Sequence, residues 1–117
     1  MFNLFKRIFM PQDPEAFIAY LSKLPSSIQV KWIRDGKFII GWISADDNEF
    51  MTQGKNAEEF IEMVNDAVYT AYEIPDNYVT VINKYKAYKP PIEEMKKLKD
   101  GSVSKANFNA KKEVAIA

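Results

Sequence analysis

Apolar residues recur along this chain with two different periods, and the change of period marks the elements. "DPEAFIAYLSKLP" spaces Phe17, Tyr20, Leu21 and Leu24 as a helix does, with Asp13 as N-cap, Pro14 at the first helical position and Pro25 as the stop. "SIQVKWIRDGKFIIGWIS" then alternates with period two on either side of Asp35-Gly36, a dipeptide suited to the positive φ angles of a tight hairpin turn. With Asp35 and Gly36 as the loop, Ile33 faces Phe38, Trp32 faces Ile39, Val30 faces Gly41 and Ile28 faces Ile43. Ile28, Val30, Trp32, Ile39, Gly41 and Ile43 share one uncharged face, which is predicted to meet the core. The other face mixes Gln29 and Lys31 with Ile33, Phe38, Ile40 and Trp42, and is too apolar to be left wholly wet.

"NEFMTQ" reads as a third strand, after which Gly54 frees the backbone to turn into a helix. Asn56 followed three residues later by Glu59 has the spacing of a capping box. Behind it Ala57, Phe60, Ile61, Val64, Ala67, Val68 and Ala71 form an apolar stripe, with Glu58, Glu62, Asn65 and Asp66 off it, and the helix ends near Ile74-Pro75. "NYVTVINKY" resumes the alternation of a strand, Tyr78, Thr80, Ile82 and Lys84 against Val79, Val81, Asn83 and Tyr85. The expected fold is therefore α+β, with order β-β-β-α-β after an N-terminal helix. It divides as an extension over 1–27, an α+β domain over 28–88, and a basic helix and tail over 89–117.

Composition narrows what such a domain can do. At 117 residues and 47% hydrophobic content the chain can bury one core but hardly two. Sixteen basic and sixteen acidic residues cancel, leaving no net field to draw it onto nucleic acid or an anionic membrane. From Asn83 onward nine lysines stand against four acids, whereas Lys55 to Asp76 has one lysine against six acids. With no cysteine and no histidine, disulfides, thiolate nucleophiles, histidine-based triads and most zinc sites are excluded. The missing cysteine fits a cytoplasmic location. "MFNLFKRIFM" is too short to span a bilayer; it reads as a segment docked on protein, with an interfacial membrane anchor as the alternative.

The Asp35-Gly36 hairpin with its aromatic second strand, Phe50 with Thr52-Gln53-Gly54, Glu58-Glu59 opening the helix and Asp66-Ala67 within it together resemble the HicB antitoxin family, over roughly Ile28 to Tyr85. The resemblance implies a partial ribonuclease-H-like sheet that binds and masks a small, HicA-like, messenger-RNA-cleaving toxin, with no catalysis of its own and no cofactor. Two features differ from the family: "SADDNEF" stands where a proline-containing loop is usual, and the segment after Pro90 lacks the C-terminal DNA-binding module often found there.

Each candidate site has a plainer competitor. Thr52 and Gln53 either contact a partner or complete the strand end. Asp46, Asp47 and Glu49 do not match a calcium-loop spacing and read as a solvated turn. Pro91, Glu93-Glu94 and Lys96, Lys97 and Lys99 before Gly101 mark a short helix with Ile92, Met95 and Leu98 on its apolar side; its lysines either balance the helix dipole or touch phosphate. From Ser102 on, the tail reads as mobile, with "EVAIA" able to add a strand to an open edge. Phe38, Ile40 and Trp42 are either covered by the N-terminal helix, or form a protein-binding or dimer surface, or stack nucleic-acid bases beside Lys31.

The resulting expectation is a non-enzymatic protein-binding module whose partner-binding residues are Phe38, Ile40, Trp42, Glu58, Glu62 and Asp66. The alternatives are a self-associating module within a larger assembly and a weak RNA-binding protein.

Overall fold

The hairpin and the helix after Gly54 organise the rest of the chain around them. The computed structural model describes residues 14–112. Its elements are α1 (Pro14–Lys23), β1 (Ser27–Asp35), β2 (Phe38–Ala45), β3 (Asn48–Gly54), α2 (Ala57–Ala71), α3 (Asp76–Lys86), β4 (Tyr88–Lys89), α4 (Ile92–Lys99) and β5 (Lys105–Lys112). The strands make one curled antiparallel sheet in the order β3-β2-β1-β5-β4. The fold is α+β, and the expected β-β-β-α start is observed.

One face of the sheet is the core. Ile28, Val30 and Trp32 of β1, Ile39, Ile43 and Ala45 of β2, and Phe108 and Ala110 of β5 are buried there with Phe60, Val64 and Val68 of α2. Burying each large apolar side chain contributes about 1.5–3 kcal/mol, so this layer supplies most of the driving force for folding. Leu24, Leu98 and Phe108, from either end of the described chain, belong to the same buried cluster.

The hairpin keeps the expected faces but not the expected register. Asp35 pairs with Phe38, Ile33 with Ile40, Trp32 with Gly41 and Val30 with Ile43, so the two loop residues are Gly36 and Lys37. Gly36 has φ +61° and Lys37 is not left-handed, the sign pattern of a type II′ turn, which wants Gly first. The pairing shifts by two residues, an even number, and every side chain therefore stays on its predicted face.

Gly54 is required for a different reason from the one expected. A β-carbon there would lie 2.5 Å from the Phe60 backbone nitrogen and 2.6 Å from its α-carbon, so glycine lets the start of α2 close onto the end of β3. Asn56 caps α2 as predicted, its Oδ1 accepting from the Glu59 N–H at 2.8 Å. The Glu59 carboxylate accepts from the N–H of Lys55 at 2.7 Å, one residue before the cap. At the other end Glu73 sits at φ +56°, with its N–H donating to Thr70 and that of Ile74 to Tyr69, a Schellman closure without glycine. The α2 stripe also differs in detail: Asn65 and Tyr69 are buried and Ala71 is exposed.

Two further segments depart from expectation. Residues 76–86 form α3, not a strand; Tyr78, Val79 and Ile82 follow helical spacing, and Ile82 and Val81 are buried. Residues 105–112 are not a mobile tail but β5, seated between β1 and β4. Its Ala106 pairs with Trp32 and its Ala110 with Ile28, small residues beside large ones. Arg34 fixes the approach to this strand. Its guanidinium donates to the carbonyls of Leu98 and Asp100 at 3.0 Å and of Val103 at 2.9 Å, neutralising the C-terminal end of α4 and the loop that follows. Within α4 itself, Leu98 is buried and Met95 half-buried, but Ile92 is exposed rather than turned to the core.

α1 lies on α3: Phe17 stacks on Tyr78 at 6.2 Å between ring centroids and Tyr20 meets the same ring at 4.9 Å. Asp13, "MFNLFKRIFM" and "EVAIA" lie outside the described residues.

Candidate functional site

Among the described residues the sheet has helices on one face only, and the second face carries the candidate site. Alternation places Gln29, Lys31 and Ile33 of β1, Phe38, Ile40, Trp42 and Ser44 of β2, Glu49, Met51 and Gln53 of β3, and Lys105, Asn107 and Asn109 of β5 on it. The register sets them in rows. Gln53, Ile40, Ile33 and Lys105 form one; Met51, Trp42, Lys31 and Asn107 the next; Glu49, Ser44, Gln29 and Asn109 the third.

Apolar side chains concentrate in the half of this face made by β3, β2 and β1. Met51 is 60% exposed, Phe38 38% and Ile33 36%, while Ile40 and Trp42 between them are half-buried by these neighbours. The β5 half is polar and basic. Lys31 enters the apolar half as its one cation among the described residues, and Glu49, which accepts a 3.4 Å hydrogen bond from Ser44 Oγ, marks the opposite edge. Because α1 is stacked on Tyr78 in the helical layer, it does not cover Phe38, Ile40 and Trp42. A contiguous apolar cluster on an otherwise polar sheet face is the kind of surface that binds another macromolecule.

The acidic half of the predicted site is elsewhere. Glu58, Glu62 and Asp66 form a row four residues apart on the exposed side of α2, in the layer behind the sheet. Glu58 pairs with Lys99 at 3.4 Å and borders a groove of about 520 Å³ floored by Ile61, Ile92 and Met95. Glu62 and Asp66 flank a smaller hollow with Tyr69, Val79 and Asn83. The predicted residues thus form two surfaces on opposite sides of the molecule. The hinge residues divide as well: Thr52 donates a long 3.4 Å hydrogen bond to the Met63 carbonyl and ties β3 to α2, whereas Gln53 lies on the open face.

Sequence reasoning passed over Asn65 and Met51. Asn65 is buried in α2, where its Nδ2 donates to the carbonyls of Tyr88 and Ile61, both at 2.9 Å, and its Oδ1 accepts from the Tyr88 N–H at 2.6 Å. Tyr69 links it to Asn83, donating to Asn83 Oδ1 at 3.0 Å, and burial raises the Tyr69 phenol well above its ordinary pKa. The Tyr88 phenol, raised chiefly by burial, donates to the Pro25 carbonyl. This network holds the edge strand β4 and is structural. Its signal in the sequence was a single Asn between Val64 and Asp66, on the flank of the stripe. Met51 could have been found from its alternation with Phe50 and Thr52.

Tyr72 donates to Asp46 Oδ2 at 2.6 Å across the β2–β3 turn, and burial, then that bond, hold its phenol above the usual value. Asp46 and Asp47 form a tight exposed turn, with Asp46 at φ +53°. Among the described residues no three carboxylates converge into a metal site, and no helix is long and apolar enough to cross a membrane. No family model, curated protein or solved structure matches the chain.

Proposed function

We propose that this chain is a non-enzymatic protein-binding module that docks its partner on the open face of its sheet. The observation that carries the reading is the apolar cluster of exposed Ile33, Phe38 and Met51 around half-buried Ile40 and Trp42, rimmed by amides and charges. Aromatic and methionine anchors inside a polar rim are what protein interfaces use, and burying them is the largest favourable term such a surface offers.

A second reading keeps the resemblance to HicB antitoxins. A small basic, HicA-like toxin would meet the row of Glu58, Glu62 and Asp66 on α2. What favours it is that Glu62 and Asp66 form no ion pair among the described residues, although like charges four apart cost a helix a few tenths of a kcal/mol.

Affinity capture separates the two. Tagged wild type, Phe38→Glu, Trp42→Glu and the double variant Glu62→Lys/Asp66→Lys are expressed in the chain's own host together with an untagged copy. The proposal predicts that whatever protein the wild type retains in near-stoichiometric amount is lost by both sheet-face variants and kept by the helix variant. The opposite pattern assigns the binding to α2, and retention by all variants contradicts both readings.

A further inference from the structure

We infer that the occupant of the open face is a second copy of this chain, docked face to face about a two-fold axis running along β2. The inference rests on the protein-binding reading above and deepens it. Its source is the placement of charge about the apolar cluster, whose central strand is β2, with β3 on one side and β1 on the other.

A two-fold along β2 exchanges the sides: β3 of one copy lies over β1 of the other, and β2 lies over β2. Row by row, Gln53, Ile40 and Ile33 then meet Ile33, Ile40 and Gln53, and Met51, Trp42 and Lys31 meet Lys31, Trp42 and Met51. The cluster covers itself. Lys31 of each copy lies over Met51 of the other, within a lysine's reach of Glu49 in the adjacent row, so the cation of the apolar half meets its edge acid twice. The basic β5 strands fall outside the overlap and do not oppose each other. A two-fold along the Trp42 row would instead set Met51 against Met51 and Lys31 against Lys31, like charges over like. The charge pattern thus favours this stacking over that one, with sheets about 10 Å apart and strands aligned to within about 30°.

This occupant also accounts for the basic residues better than a basic partner does, since Lys31, Lys105 and Lys111 would repel one. Nucleic acid would use those lysines, but it leaves Glu49 and Asp35 facing phosphate.

Sedimentation velocity on the full chain over a wide concentration range, with circular dichroism to confirm folding, tests the geometry through charge reversal. Wild type is expected to dimerise. Lys31→Glu and Glu49→Lys are each expected to weaken the dimer about tenfold, since each turns two exposed attractive pairs into repulsive ones. The double variant Lys31→Glu/Glu49→Lys is expected to return to within about threefold of wild type, because the pairs are restored with their signs exchanged. A wild type that stays monomeric, or a double variant no tighter than the singles, overturns the inference. A monomer that captures another protein through Phe38 and Trp42 overturns self-association alone. A monomer that captures nothing overturns the protein-binding reading as well, and retention of a mixed-sequence oligonucleotide by Lys31 in place of dimerisation assigns the face to nucleic acid.

Discussion

Asn65 pairs with both backbone groups of Tyr88, accepting from its N–H at 2.6 Å and donating to its carbonyl at 2.9 Å. One side-chain amide thereby supplies the two bonds that a further strand would have made, and it joins α2 to the edge of the sheet. Asn65→Ala strips partners from both groups and leaves Tyr69 only its bond to Asn83. A cost of about 3 kcal/mol is expected for a buried network of this kind, read as the shift in urea midpoint. A loss below about 0.5 kcal/mol would mean that the network contributes nothing.

Gly41 is the place where the sheet admits Phe60. A β-carbon on it would lie 2.5 Å from Phe60 Cζ and 2.7 Å from Cε1. Gly41→Ala is expected to destabilise by about 1–3 kcal/mol through overpacking. Adding Phe60→Leu should recover part of that cost, and a double-mutant cycle in chemical denaturation reads the coupling directly.

Glu73 closes α2 in a left-handed conformation, φ +56°, that costs a residue with a β-carbon roughly 1 kcal/mol. Glu73→Gly relieves the strain at an exposed position and is expected to raise stability by about 0.5–1 kcal/mol, net of glycine's greater unfolded-state entropy. An unchanged or lowered melting temperature would contradict this.

Alkaline pH should unfold the chain through its buried phenols. Tyr69 and Tyr88 both have folded pKa values raised above the ordinary 10.0, mainly by burial, so the folded state holds these protons when the unfolded state has released them. Their contribution is complete below the unfolded value and declines as pH rises through it toward the folded one. Ultraviolet titration is expected to show two of the six tyrosines ionising only as the protein unfolds. Tyr69→Phe should remove one of them and flatten the fall in stability above about pH 10.

The hairpin was legible because its signal is redundant: six uncharged positions share a face, and an even register shift leaves them there. The cap of α2 was legible because Asn56 and Glu59 interact within one turn. The misread segments depend on what lies beside them. Val79, Thr80, Val81 and Ile82 are β-branched and alternate acceptably, yet Tyr78 has rings from α1 to pack on, and the chain coils to bury Ile82. Lys105 to Lys112 alternate cleanly, but two of the three inward residues are Ala106 and Ala110, whose fit is set by Trp32 and Ile28 across the ladder. Local propensity and apolar patterning do not report such a long-range fit. The predicted site split for the same reason: Trp42 and Glu62 carry plausible surface chemistry, and only the packing of α2 on the opposite layer separates them.

The two tryptophans report on the two faces of the sheet. Trp42 is half-exposed at the centre of the open face, and Trp32, one strand away, is buried in the core. Their indole N–H resonances in the full chain, followed by NMR as the protein is diluted, give one reporter on each side of the sheet. The Trp42 signal is expected to move with concentration while the Trp32 signal stays in place. A stationary Trp42 indole across the range, or movement confined to residues of α2, would contradict self-association through the open face.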